Sequence, residues 1–212
     1  MSRRIDGLKK EILNLPNMIT IGRLFLIPPV IFLIDKTDPV KSFFAMCLFL
    51  LAGLLDIVDG WLARRQGLVT FFGKFMDPLA DKIMVMALLV FLVVDGRLAA
   101  WVVVVLLGRE FYISGLRTLA LSEGVEIVAG AGGKAKTSFQ LIGVCMILVY
   151  YSYRVPFFGD MVDFHKMGSV LVYVSILLSI YSALDYTWGF IRELEKRAVD
   201  SEEALDTAVD RG

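Results

Sequence analysis

Apolar residues gather into six stretches long enough to cross a bilayer, and polar or charged segments divide them. The stretches run near Met18–Ile34, Phe43–Ala63, Pro78–Val94, Ala99–Leu121, Thr137–Tyr153 and Met167–Phe190. Each reads as a helix, so the predicted fold class is an all-α integral membrane protein with six transmembrane helices. Ahead of them, residues 1–15 place Ile5, Leu8, Ile12 and Leu13 on one helical face and basic residues on the other. That is the pattern of an N-terminal interfacial amphipathic helix, although an ordinary basic flank would carry similar charges. No small-residue cleavage site follows the first apolar run, so it is expected to be retained as a span. From Glu193 the chain is charged and poor in large apolar residues, and a frayed or disordered tail is expected. The predicted organisation is an interfacial helix over 1–15, one membrane domain over 16–192 and a charged tail over 193–212.

Composition agrees: 57% of the 212 residues are hydrophobic and the mean hydropathy is +0.70, above a soluble domain. Net charge is zero, and no nucleic-acid partner is expected. The distribution of charge is more informative than its sum. Arg3, Arg4, Lys9, Lys10, Arg64, Arg65, Lys74, Lys134, Lys136, Arg192, Lys196 and Arg197 fall on one side of the predicted spans. Only Lys36, Lys41, Arg97, Arg154 and Lys166 fall on the other. By the positive-inside rule both termini and the loop after the second span are cytosolic, and an even span count agrees. A multi-pass protein of the cell's inner (cytoplasmic) membrane is expected.

Within these apolar stretches lie four aspartates, Asp56, Asp59, Asp77 and Asp81. A carboxylate at the centre of a bilayer costs about 2.5–3.5 kcal/mol on insertion scales, so it must face water, a cation or a metal. Spacings of three and four put Asp56 with Asp59 on one face of a helix and Asp77 with Asp81 on one face of the next. Two antiparallel helices joined by a short turn bring all four together. Oxygen-only ligands suit hard cations such as Mg2+ or Mn2+, and four carboxylates balance two such ions. Metals about 3.5–4 Å apart can clamp a transferring phosphoryl group. Gly60 and Ala63 are small enough to let a ligand or a helix approach the backbone, and Arg64 can meet phosphate oxygens bidentately. Gly73 is expected to open the turn into the third helix, or to be an ordinary loop glycine. Ion pairs of the aspartates with Arg64, Arg65, Lys74 and Lys82 are the structural alternative to a metal site.

A second set of charges lies further along. Arg109 falls near the middle of the fourth span with Glu110 beside it, Arg117 lies two turns nearer the cytosol, and Lys134 and Lys136 open the fifth span. Cations converging on one pocket would hold a phosphate monoester. Flanking positive charge would equally account for Lys134 and Lys136, and a snorkelling side chain for Arg117. Cys47 and Cys145 read as buried free thiols, His165 as a local structural residue, and Trp61, Trp101 and Trp188 as interface anchors.

The run Asp59-Gly60-x2-Ala63-Arg64-x8-Gly73-x3-Asp77-x3-Asp81, with Asp56 three residues upstream, resembles the full signature of the CDP-alcohol phosphotransferase family. That resemblance implies six transmembrane helices, a two-metal site near the cytosolic face and usually a homodimer. It also implies transfer of a phosphatidyl group from CDP-diacylglycerol to an alcohol, with release of CMP. Asp56, Asp59, Asp77 and Asp81 would hold the metals, and Asp81 would be the general base. Gly60, Ala63, Arg64, Thr70 and Gly73 would line the site of the CDP-lipid. Leu107-Gly108-Arg109-Glu110-Phe111-x2-Ser114-Gly115-Leu116-Arg117 and Gly133-Lys134-Ala135-Lys136-Thr137 resemble the bacterial phosphatidylglycerophosphate synthases of that family. So does the opening Asn14-Leu15-Pro16-Asn17-x2-Thr20-x2-Arg23, which adds Thr20 to the CDP-lipid set. These motifs imply glycerol 3-phosphate as acceptor, with Arg109, Arg117, Lys134 and Lys136 on its phosphate. Inositol phosphate, serine or phosphatidylglycerol remain alternative acceptors, and a divalent-cation transporter or a non-catalytic scaffold are alternatives of another class.

Overall fold

Two prolines interrupt the first apolar run. Pro28 and Pro29 lack amide hydrogens and cannot continue the ladder begun upstream. The chain therefore forms α1 (Leu15–Leu24), a tight turn closed by Phe25 N–H to Gly22 O and Leu26 N–H to Arg23 O, and then α2 (Ile27–Phe32). The run predicted as one helix over Met18–Ile34 is two. Beyond it the computed structural model gives α3 (Pro39–Gln66), α4 (Phe71–Val94), α5 (Ala100–Ser122), α6 (Gly132–Val149), a hairpin of β1 (Ser152–Arg154) and β2 (Met161–Asp163), and α7 (Phe164–Val209). Residues 15–66, 71–124, 132–154 and 161–209 are described. Within them the side chains of 15–16, Asp59, 63–64, 66, 71–78, Asp81, 132–135 and 198–209 are not. The predicted interfacial helix over 1–15, apart from Leu15, and Thr70 lie outside the described residues.

Local chemistry sets the ends of these helices. Asp38 caps α3, its Oδ1 accepting from the amides of Val40 (2.9 Å) and Lys41 (3.2 Å), with Pro39 at the first helical position. In the loop before it, the Thr37 hydroxyl and amide, with Lys41, hold the Asp35 carboxyl down to about 2 from 3.8. That tie is present above the ordinary aspartate range and is lost as the pH falls toward the lowered value. Asp163 caps α7 through the Lys166 amide at 3.0 Å. Gly96, at φ 70°, ends α4 with its amide on Val93 O and that of Arg97 on Leu92 O, the paired bonds of a glycine C-cap.

The first unit of the chain comprises residues up to 103 with 142–170. In it α1 and α2 pack on both α3 and α4. α6 and α7 cross so closely that a Cβ on Gly168 would lie 2.7 Å from Gly143 O and 2.9 Å from Ile147 N. Backbone atoms cannot swing aside as a side chain can, so Gly168→Ala is expected to cost about 1–3 kcal/mol. A lowered unfolding midpoint in detergent would report it, and an unchanged midpoint would contradict the crossing. The second unit comprises 104–141 with 171 onward. Here Ala120 and Phe190 are buried together, and Arg197 reaches the end of α5, donating to Glu123 O (2.8 Å) and Gly124 O (2.6 Å).

Outward faces are apolar. Leu54, Ile57 and Trp61 on α3, Val94 on α4, and Leu177 and Leu184 on α7 are exposed. Pro39–Leu62 and Phe164–Arg197 are long and apolar enough to cross a membrane, and shorter apolar helices accompany them. The architecture is helical and fits a membrane protein. Several expected boundaries need correction. α4 starts at Phe71, ahead of Pro78, so Gly73 sits inside its first turn and not before it. α6 starts at Gly132 and stops at Val149, because Tyr150 turns to φ 66°. The tail, expected as a frayed helix or as disorder, continues α7 as helix to Val209, and a β-hairpin stands between α6 and α7.

Candidate active site

Asp56, Asp59, Gly60, Ala63 and Arg64 all lie within the unbroken helix α3, and Gly73, Asp77 and Asp81 within α4. The spacings of three and four are therefore realised on helical backbone, as the sequence reading requires. The side chains of Asp59, Ala63, Arg64, Gly73, Asp77 and Asp81 lie outside the described residues, and Asp56 represents the set.

What lies against these helices was only half legible in the sequence. α1 is short and apolar except for Asn17, Thr20 and Arg23, which recur at every third position. All three are buried, at 4%, 1% and 2% exposure. α1 packs on both α3 and α4, so its polar stripe belongs to the interior of the group that carries the aspartates. Arg23 Nη1 is ion-paired with Asp56 Oδ1. An arginine this deep requires a fixed anion, since an unpaired buried charge is strongly destabilising. The expected structural partners of the aspartates included Arg65, which instead lies over the Trp61 ring, 4.9 Å from its centroid. In the sequence Arg23 stands only at the end of a motif. Its three-residue spacing from Thr20 and Asn17 in an apolar helix was the signal for a buried polar face.

The four aspartates that α3 and α4 carry offer carboxylate oxygens, the kind of ligand that hard divalent cations take. Four carboxylates against one guanidinium and two dications would leave one surplus positive charge, which suits an anionic ligand.

The second unit holds a compact charged group. Glu110 on α5 is in contact with Arg109 Nη1 at 2.9 Å and with Lys136 Nζ of α6 at 2.6 Å, both to its Oε1. Arg109 Nε donates to Ser179 O (3.2 Å) and its Nη2 to Ser182 Oγ (3.4 Å), both on α7. Lys136 is buried, so it is not the exposed flanking charge that the sequence left open. Arg117 is exposed, and the Lys134 side chain lies outside the described residues. Cys47 and Cys145 are free thiols, as expected, but half-buried where full burial was expected.

Outward apolar faces and a buried polar stripe against a carboxylate-bearing helix pair fit a helical membrane protein built around an acidic site. A family model described as CDP-alcohol phosphatidyltransferase matches residues 13–181, and the chain belongs to that family. Among its curated relatives is a Bacillus subtilis (strain 168) protein named CDP-diacylglycerol--glycerol-3-phosphate 3-phosphatidyltransferase, 37% identical over 187 residues. That match covers 82% of this chain and 93% of the relative. A Haemophilus influenzae protein of the same name is 34% identical, covering 82% and 91%, and one from Rickettsia bellii is 30% identical, covering 82% and 93%.

Proposed function

We propose that this protein transfers the phosphatidyl group of CDP-diacylglycerol to the hydroxyl of sn-glycerol 3-phosphate, giving phosphatidylglycerophosphate and CMP. The observation that carries the reading is the aspartate set on α3 and α4, backed by α1's buried polar face, in a chain of this family. The names of the relatives support the acceptor.

Asp56, Asp59, Asp77 and Asp81 are the proposed ligands of two divalent cations, Mg2+ or Mn2+. Bound there, such ions neutralise the pyrophosphate and the charge that grows on departing CMP. Arg23 holds Asp56 in place by a charge that does not depend on the metal. Thr20, Gly60, Ala63, Arg64, Thr70 and Gly73 form the CDP-lipid site, with Arg64 on phosphate oxygens. Asp81 accepts the proton of the acceptor hydroxyl, and the resulting oxygen attacks the β-phosphorus. The bond from that phosphorus to the bridging oxygen breaks, and its electron pair leaves with CMP. A carboxylate among cations is a weak base, so positioning supplies most of the acceleration. Arg109, Arg117, Lys134 and Lys136 hold the acceptor's phosphate.

The proposed setting is the inner membrane, with six spans, an interfacial N-terminal helix, both termini and the aspartates cytosolic, and a homodimer as the working form. The asymmetry of basic residues supports that orientation. CMP release by the purified protein, assayed with each acceptor in turn, tests the reading. Turnover with glycerol 3-phosphate is expected. Turnover only with serine, inositol phosphate or phosphatidylglycerol would replace the acceptor, and metal flux without CMP release would replace the chemistry.

A further inference from the structure

We propose that Glu110 is an internal counter-anion of the acceptor site, holding Arg109 and Lys136 where an acceptor's phosphate is to bind and yielding at least one of them when it does. The inference rests on the acceptor reading above and assigns a role to a carboxylate that the reaction itself does not use.

Arg109 and Lys136 come from different helices, and their side chains are 10% and 8% exposed. Two cations buried near each other repel, and each is costly without an anion. Glu110 answers both with a single oxygen: Oε1 takes Lys136 at 2.6 Å and Arg109 at 2.9 Å, and Oε2 has no partner among the described residues. The Glu110 side chain is 35% exposed, several times more than either cation, so solvent and an incoming anion reach this carboxylate more readily than Arg109 or Lys136. Carboxylate and phosphate oxygens satisfy the same donors, so one can replace the other on a guanidinium or an ammonium.

The two cations are not held alike. Arg109 is tied from behind to Ser179 O and Ser182 Oγ, and keeps its place when Glu110 lets go. Lys136 has Glu110 as its partner, and its flexible stem can follow a phosphate. Two positive charges against one negative leave a surplus of one. A phosphate dianion is therefore attracted, but it is opposed by the Glu110 charge. Glu110 thereby keeps the pair ordered before binding and sets how tightly an anionic acceptor is held.

The test uses purified full-length protein in detergent with CDP-diacylglycerol. CMP release is followed against glycerol 3-phosphate, with inorganic phosphate as competitor, for the native protein, Glu110→Gln and Glu110→Asp. A full charge a few ångströms from a bound anion is worth about tenfold or more in affinity. Glu110→Gln is expected to lower both the phosphate inhibition constant and the acceptor KM by about that factor. Glu110→Asp, which withdraws the carboxylate by one methylene, is expected to lie in between. It carries the test if the glutamine variant does not fold. Constants unchanged or raised in the variants, whatever happens to the unfolding midpoint, overturn the proposal while leaving the acceptor reading intact. A native protein that neither turns over glycerol 3-phosphate nor is inhibited by phosphate overturns both.

Discussion

Asp81→Asn is expected to reduce CMP release by at least about a thousandfold while leaving the protein folded. Asparagine keeps the shape of the side chain and removes its charge and basicity together. Loss of a general base alone accounts for about a hundred- to ten-thousandfold, and the proposed metal would lose a ligand as well. The residue lies well inside α4, whose ends are set elsewhere by the Phe71 start and the Gly96 cap, so the helix has no need of the carboxylate. Initial rates and the unfolding midpoint, measured on one preparation, check the two halves of the prediction. Near-normal turnover would remove Asp81 from the chemistry. Lost turnover together with a collapsed midpoint would make it a structural residue.

The largest effect on stability is expected just beyond the C-terminal end of that helix, at Arg97. Its side chain is fully buried. Nε meets Asp95 Oδ2 at 2.6 Å, Nη1 donates to Leu148 O at 2.6 Å and to Ile147 O at 3.3 Å, and Nη2 donates to Ser42 Oγ at 2.9 Å. The guanidinium also lies 4.7 Å from the Tyr150 ring centroid, and the backbone carbonyl of Arg97 is 2.8 Å from His165 Nε2. One residue thus ties α3, the end of α4, α6 and the start of α7 together, and its side chain satisfies the last carbonyls of α6. Arg97→Ala strands Asp95 and uncaps α6, at an expected cost of about 3–5 kcal/mol. For a chain of this size the midpoint should fall by roughly 10 °C. Arg97→Lys keeps the charge but loses the fork, and should fall in between. Alanine with a native midpoint would show that the cluster contributes nothing.

Much of this was readable in advance because the governing pattern is local. Runs of apolar residues between Met18 and Phe190 marked where helix forms, although the first run is two helices and not one. The aspartate spacing on α3 and α4 was legible for the same reason: helical periodicity turns sequence separation into angle. Partnerships across the chain were not. The sequence offers the aspartates Arg64, Arg65, Lys74 and Lys82 as nearby cations, and the structure gives Asp56 Arg23, from a helix whose packing no local signal specifies. Lys136 could be a flanking charge or a buried one, and only packing decided between them. The break at Pro28–Pro29 is encoded in the sequence, but a hydropathy profile ignores amide hydrogens and runs straight through it. The charged stretch after Glu193 reads as a frayed helix or disorder, and Arg197 within it is bonded to the end of α5, a partnership across the chain that local composition does not signal.

Anomalous diffraction from crystals grown with Mn2+ and the nucleotide diphosphate addresses the heart of the matter. Two manganese peaks roughly 4 Å apart, each touching carboxylates of both α3 and α4 among Asp56, Asp59, Asp77 and Asp81, are the expected result. Aspartate side chains turned to separate faces, with no manganese between the two helices, would contradict it.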